Sequence, residues 1–326
     1  MRFLYVMDPL AHVDPDKDTT FALVLEGQAG GADSFVCGLT DLMARDDRGF
    51  ARADRVRVRR PTEDDPRHWE VVDRVEIAFD DFDAIWMRKD PPVDDLFLFA
   101  CMLLERTQRA LVLNDPKGLR LCHEKLWALG FPELIPHTVV SSRPDVLVDF
   151  VRRRGKAVLK PLHLMGGMGV MVFEAHDKNL KSAADLLTLD GQRPALAQEF
   201  LPAVKDGDKR VILVDGEPVG AVLRVPQTDD VRSNLHVGGS ARPAVIDDAD
   251  RHIARVLGPA LRELGLFLVG LDVIGGKLTE VNVTSPTGVQ EIDRADGRTG
   301  GDRIPAIVMR ALEEKLQKRA RGMGSF

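Results

Sequence analysis

Between Lys160 and Val170 the chain reads KPLHLMGGMGV, which puts glycine at 166, 167 and 169 between two apolar, strand-like segments, Ala157 to Leu162 and Val170 to Glu174. That placement limits the fold more than any other feature. The loop has neither the G-x-x-x-x-G-K-[ST] order of a P-loop nor the G-x-G-x-x-G of a dinucleotide fold, both of which deliver phosphate to the N-terminus of a following helix. Here a strand follows. A phosphate held at this point must be held by the loop's own N–H groups, and the glycine content suits a flexible flap.

The segments on either side of this unit differ in pattern. Phe3 to Met7 reads as a buried strand, Thr20 to Gly27 as a helix closed by Gly30-Gly31, and Ser34 to Leu39 as a second strand, a Rossmann-like opening without its glycine fingerprint. Arg52 to Arg60 (RADRVRVRR) reads as an exposed edge strand kept soluble by arginine. Strands follow at Ala84 to Met87 and Leu111 to Leu113, with a helix starting near Asp95 and a helical pattern over Gly118 to Leu129. Beyond them come strand His137 to Val140, helix Pro144 to Arg154, the flap with its two strands, helix Leu180 to Leu187 and strand Ala195 to Phe200. Two hairpins are expected, 210 to 225 turning at Asp215-Gly216 and 267 to 283 turning at Gly275-Gly276. Between them lie a polar stretch, 226 to 243, long enough to be a functional lid, and a helix from Asp247 to Leu264. A helix from Asp302 to Arg319 closes the chain, with RGMGSF frayed. For 326 residues length alone suggests roughly two domains, with three small ones possible, and the change of pattern puts the first boundary just before Gly118.

A net charge of −6 offers no general attraction to nucleic acid or anionic membrane, so an anionic ligand must be held by local basic residues. Cys37, Cys101 and Cys122 are widely spaced, as suits buried thiols in a reducing compartment rather than disulfides or a zinc site. The start, MRFLYVMDP, is too short an apolar run for a signal peptide, and no segment approaches a membrane span, so a cytoplasmic protein is expected.

The stretch LDVIGGKLTEVNVTSPTG places Asp272, Glu280 and Asn282 in otherwise apolar strands, where such groups are costly unless a cation pairs with them. Glu280 and Asn282 share a strand face. A plain two-residue turn at Gly275-Gly276 would set Asp272 across from Thr279; facing Glu280 requires a three-residue turn or a bulge, which we expect. Three hard oxygen ligands then converge, as suits magnesium, or else the segment is a solvated edge with incidental carboxylates. Lys125, Lys160, Lys209, Arg210, Arg224 and Arg232 form a basic set suited to phosphate and carboxylate oxygens. At the end of the Ala195 strand, Glu199 and Leu201 can present backbone groups to an adenine edge with Asp208 on ribose hydroxyls; a simple connecting strand is the other reading.

Taken in order, MDP (7–9), KDTTFALVLEGQ (17–28), MRKDPP (87–92), NDPKGLRLCHEKL (114–126), LKPLHLMGGMGV (159–170), LPAVKDGDKRVILVDGEPVGAVLR (201–224) and VGLDVIGGKLTEVNVTSPTG (269–288) resemble the bacterial type of glutathione synthetase, an ATP-grasp ligase. The resemblance covers nearly the whole chain and implies an α/β, ATP-grasp fold behind a Rossmann-like pre-ATP-grasp domain. By motif it implies ATP contacts at Lys125, Lys160, Gly166, Gly167, Gly169, Glu199, Leu201, Asp208 and Arg210, and magnesium, or manganese, on Asp272, Glu280 and Asn282. Arg88, Arg224, Ser285 and Thr287 match substrate positions, Arg232 to Gly239 match a mobile shielding loop, and Arg210, Arg232 and Lys160 match groups acting on the reacting phosphoryl. Two departures stand out: His163 and Leu164 replace the aspartate and first glycine of K-P-L-D-G-M-G-G, and Ser240 stands where arginine is frequent. His163 is read as a loop surface residue rather than a catalyst.

The implied reaction joins γ-glutamylcysteine to glycine at the expense of ATP through an acyl phosphate, in a homotetramer with no nucleic acid or membrane partner. A different ATP-grasp carboxylate–amine ligase, and a nucleotide-binding regulator without catalysis, are the rival readings.

Overall fold

A computed structural model describes residues 1–225 and 240–323; the expected shielding loop, Arg232 to Gly239, lies outside the described residues. The N-terminal region holds β1 (Arg2–Val6), α1 (Thr19–Ala29), β2 (Asp33–Cys37), β3 (Leu42–Arg45), β4 (Arg48–Val58), β5 (Trp69–Ala78), β6 (Ala84–Met87), α2 (Asp95–Leu104), β7 (Leu111–Leu113) and α3 (Pro116–Leu121). Its sheet runs β3-β4-β2-β1-β6-β7, with β5 on β4 and β1, β2, β6 and β7 parallel. The helices start where the sequence supplies an acceptor: Asp18 takes the Phe21 N–H and Asp94 the Phe97 N–H.

Two expectations are corrected here. β4 is not an edge strand, because β2 pairs with it at 54–56 while β5 covers it from Phe50 to Val58. Its arginines are matched by acids on β5, Arg52 to Glu76 (3.5 Å) and Arg57 to Glu70 (3.7 Å), with Arg74 returning to Asp54 (3.2 Å). The basic stripe is therefore half of a cross-strand charge ladder. The expected helix 118–129 is broken: α3 stops at Leu121 and only a 3₁₀ turn, Trp127–Gly130, follows. Between them the Glu124 carbonyl accepts the Val281 N–H at 2.9 Å. That bond ties the segment to the far hairpin and turns Glu124 and Lys125 toward the cleft.

The central sheet comprises β8 (Thr138–Ser141), β9 (Lys156–Pro161), β10 (Met171–Glu174) and β11 (Ala195–Glu199), antiparallel in the order β10-β9-β11-β8, with α4 (Pro144–Arg154) and α5 (Leu180–Thr188) packed on it. Its core, built from residues such as Leu147, Val151, Leu159, Phe173 and Ala184, draws, among the described residues, on no other part of the chain. The third sheet, β14-β13-β12-β15-β16, contains β12 (Asp208–Val214), β13 (Glu217–Val225), β14 (Ser240–Pro243), β15 (Leu268–Ile274) and β16 (Lys277–Asn282). It carries α6 (Asp248–Glu263), α7 (Val289–Asp296) and α8 (Ile304–Met323). Residues 240–243, expected to be structureless, pair with β13, and 321–323, expected to fray, continue α8. β3, β5 and α7 are elements the sequence reading does not contain.

The N- and C-terminal sheets share their cores. One cluster joins Leu4, Ile85 and Leu104 to Val211, Leu271 and Val281, and another joins Tyr5 and Trp86 to Ile212, Phe267 and Leu312. Trp86 meets Phe267 edge-on at 6.0 Å between ring centroids. At about 1.5–3 kcal/mol for each fully buried large side chain, this contact fuses the two regions into one body.

The Asn114 side chain seals the junction: it accepts from Phe267 N (2.7 Å) and Leu268 N (2.8 Å) and donates to the carbonyls of Leu268 (2.9 Å) and Val283 (2.6 Å).

Candidate active site

The C-terminal sheet builds one polar face by register. β12 sets Arg210 across from Asp272 and Asp208 across from Arg224, while β15 sets Asp272 across from Glu280 and Gly270 across from Asn282. The expected bulge is present: Ile274 pairs with Lys277 around the Gly275-Gly276 turn, and the register shifts beyond Val273, so that Thr279 is the extra residue. Both turn glycines have positive φ, 56° and 75°, which a two-residue turn of this hand requires. Thr279 Oγ1 donates to the Asp272 carbonyl at 3.1 Å across the bulge. Without it, Glu280 would point to the opposite face.

Asp272 is the hub. Its carboxylate accepts from Arg210 Nε (2.6 Å) and Nη2 (3.2 Å) and stands 3.0 Å from Arg224 Nη2. Burial alone would raise its pKa, but the two guanidiniums outweigh that and hold the carboxyl well below the usual range. Burial pushes Asp208 up to about 6, against the pull of the Arg224 guanidinium bonded to it. Arg210 also donates to the Thr287 carbonyl at 3.0 Å, and a Cβ on Gly270 would lie 3.2 Å from its Cδ. Glycine there leaves the arginine its room.

Two lysines face this acidic strand from outside the sheet. Lys125 Nζ pairs with Glu124, donates to the Leu164 carbonyl at 3.0 Å and lies 3.9 Å from Glu280 Oε1. Burial would lower its pKa, yet Glu280 and Glu124 together raise it, so the ammonium stays charged. Lys160, on β9, stands 3.7 Å from the same Glu280 oxygen and donates to Gln198 Oε1 at 3.2 Å.

The flap follows Lys160. Gly166, Gly167 and Gly169 all have positive φ (63°, 78° and 71°), and a Cβ on Gly169 would fall 2.9 Å from Pro161 Cγ. Side chains at these positions would be strained, and that is the physical reason for the glycines. His163 is exposed, in line with a surface role, and Leu164 contributes its backbone carbonyl to Lys125.

Two cavities meet at Asp272 and Glu280. The first lies between the central and C-terminal sheets, walled by Val158, Val170, Val172, Phe200, Leu201 and Ile274, with Lys160, Gly167, Glu199 and Asp208 at its rim. Apolar walls with a few polar groups at one end suit a planar base carrying a charged tail. The second opens toward the N-terminal region and is lined by Asp90, Glu124, Gly166, Arg210, Arg224, Asn282, Ser285 and Thr287. Lys125, Gly169 and Arg88 line neither. Arg88 is buried and donates to Thr20 Oγ1 (3.2 Å) and to the carbonyls of Pro286 (3.1 Å) and Thr284 (3.5 Å), which fixes the 284–287 loop that borders the second cavity.

Sequence reasoning missed Glu124, Gln198 and Asn114. Glu124 had a signal, being the residue beside Lys125; Asn114 had none, since its partners lie about 150 residues away. Among the described residues no three His, Cys, Asp or Glu side chains stand in metal-holding geometry. The converging set is two carboxylates and an amide, Asp272, Glu280 and Asn282, and its hard oxygen chemistry fits a magnesium-type ion. No helix among the described residues is long and apolar enough to cross a membrane.

The family models that match are the prokaryotic glutathione synthetase N-terminal domain, over residues 1–120, and the prokaryotic glutathione synthetase ATP-grasp domain, over 124–297. The glutathione synthetase of Thermosynechococcus vestitus is 44% identical over 314 residues, covering 94% of this chain and 99% of that protein. That of Pseudomonas syringae pv. tomato is 43% identical over 323 residues, covering 98% and 99%. Among solved structures, D-cycloserine synthetase DcsG superposes with a TM-score of 0.67 at 16% identity, over 96% of this chain and 99% of that one, a likeness of fold.

Proposed function

The chain belongs to the prokaryotic glutathione synthetase family, and from that premise we propose how its residues carry out the ATP-dependent ligation that makes glutathione. The acid substrate is γ-glutamylcysteine and the amine is glycine. The observation that carries the assignment is the junction of an apolar cavity and a polar one at Asp272 and Glu280, with Lys125, Lys160, Arg210 and Arg224 around it.

ATP occupies the first cavity, its base against Val158, Val172 and Leu201 and backbone groups of Glu199 and Leu201, its ribose near Asp208, and its phosphates beneath the N–H groups of Gly166, Gly167 and Gly169. Asp272, Glu280 and Asn282 would hold magnesium, or manganese in its place, which would supply positive charge against the phosphate oxygens. The dipeptide lies in the second cavity, with Arg224 and the Ser285 and Thr287 region on its polar groups. Arg88 acts by holding that loop.

A free carboxylate is a poor acyl donor because oxide is not expelled. Its oxygen attacks the γ-phosphorus in line, ADP leaves, and the acyl phosphate forms; the glycine amine then attacks the acyl carbon, and inorganic phosphate departs with the electron pair of the C–O bond and takes up the proton that the nitrogen gives up. No protein nucleophile is involved. Lys125, Lys160 and Arg210 stabilise the charge that builds on the transferring group, an effect of positioned charges in a site closed to water. The flap excludes water while the intermediate exists, and Arg232, outside the described residues, is proposed to act with it on the reacting phosphoryl.

The same reading divides the chain at 1–121, 122–200 and 201–326 and places a homotetramer in the cytoplasm, on the strength of family membership. The deciding assay is phosphate release with ATP and magnesium: both γ-glutamylcysteine and glycine should be required, and the product should be the tripeptide by mass. Release with one substrate alone, or a different product, overturns the substrate assignment.

A further inference from the structure

Gln198 lies on β11 in the wall of the nucleotide cavity, 5% exposed, among apolar neighbours. A buried amide of that kind needs all its partners. The two it has fix its orientation independently. The Thr138 hydroxyl donates to the Pro136 carbonyl at 2.8 Å, so its oxygen is an acceptor for Gln198 Nε2 at 3.0 Å. On the other side Lys160 Nζ, which can only donate, meets Gln198 Oε1 at 3.2 Å. Pro136, Thr138, Gln198 and Lys160 thus form a one-directional relay across β8, β11 and β9, ending at the ammonium beside Glu280.

We propose that Gln198 is the positioning residue for Lys160 and sets the affinity for the phosphates of the nucleotide. The proposal rests on the assignment of Lys160 to those phosphates. An amide suits the task because it is neutral. It fixes one of the three ammonium hydrogens and restricts a flexible four-carbon side chain, while adding no negative charge to that of Glu280 beside it. A carboxylate in the same place would anchor Lys160 equally well but would cancel the lysine's charge and repel the phosphates. The distinction separates positioning from plain packing, since Glu, Met and Gln have similar shapes.

The test measures the binding of ADP and of adenosine by calorimetry or competition, beside kcat and KM for ATP, in Gln198→Met, Gln198→Glu, Thr138→Val and Lys160→Met. Losing the neutral acceptor that orients the ammonium should weaken ADP about fivefold in Gln198→Met, and loosening its support should weaken it less in Thr138→Val. Placing a like charge beside the phosphates should weaken it roughly thirtyfold in Gln198→Glu. Adenosine should bind all four variants within about twofold of the parent, because Val158, Val172 and Leu201, the side chains assigned to the base, are unchanged, and kcat at saturating ATP should fall less than KM rises. Parallel loss of ADP and adenosine in the Gln198 variants would mean that the residue only shapes the pocket, and the proposal fails. Equal ADP affinity in the Met and Glu variants also overturns it. Unchanged ADP affinity in Lys160→Met removes the underlying phosphate assignment, and the proposal with it; a loss there with none at Gln198 leaves Lys160 in place and sinks the relay alone. Should Gln198→Glu fail to fold, Gln198→Met and Thr138→Val still decide.

Discussion

The central sheet and the rest of the molecule are built on different principles. Leu159, Phe173 and their neighbours form a core that belongs to the central unit alone, whereas Tyr5, Trp86, Phe267 and Leu271 sit in cores to which both the N- and C-terminal regions contribute. The candidate site is split along that line. Lys160, the flap and one wall of the first cavity ride on the separately packed unit; Asp272, Glu280, Arg210 and Arg224 are fixed in the fused body. The division teaches that closing over a nucleotide can be a movement of one small unit against a rigid floor, with no core having to be repacked.

The largest effect expected from this contrast is on turnover. Glu280→Ala removes a group of the floor that is only part-buried, so activity should fall roughly 10³-fold while the thermal transition stays near that of the parent. Near-normal turnover in the folded variant would sink the metal assignment. Asp272→Ala should lose activity too, but it strands Arg210 and Arg224, and breaking a buried pair in this way costs about 3–5 kcal/mol. The two variants therefore separate chemistry from fold on one strand pair.

Next in size is a pair of core truncations. Leu159→Ala and Leu271→Ala, both fully buried, should each cost about 2–5 kcal/mol. Hydrogen exchange ought to rise only across 138–199 in the first, with nucleotide affinity falling, and across both outer regions in the second. Exchange spreading through the whole chain in Leu159→Ala would show that the central unit is not independent.

The smallest effect concerns pH. Burial lifts the Asp208 carboxyl from the ~3.9 of an unfolded chain to about 6, so ionising it opposes folding. That penalty is absent below pH ~4, grows as the pH rises through about 6 and is constant above it. Asp208→Asn should remove this component, so melting temperatures of the variant measured at pH 5 and 7 should differ in its favour more at pH 7.

Much of the polar floor was legible because strand parity is arithmetic. Glu280 and Asn282 are two apart, Asp272 must face them if all three are to work together, and only an extra residue near the turn allows it; Thr279 is that residue. The glycine flap was legible for a similar reason, since a strand on each side leaves few conformations. What stayed hidden depends on partners distant in sequence. β5 is a half-exposed ribbon whose reason for being a strand is the charge pattern of β4, and the helix expected at 118–129 is broken by a hydrogen bond to Val281. Gln198 and Asn114 read as ordinary polar residues until the strands they bridge are side by side. Local propensity carries no record of such contacts.

The three cysteines have a consequence for a catalyst that works among thiols. All are buried and unpaired, and burial pushes Cys101 and Cys122 up to about 12 and Cys37 higher still. Disulfide exchange needs an accessible thiolate, and none of these supplies one. The enzyme can thus stand in the same solution as its thiol substrate, its thiol product and the oxidised forms of both without forming mixed disulfides. Its own thiols are therefore a closed route between the redox balance that its product helps to set and the site.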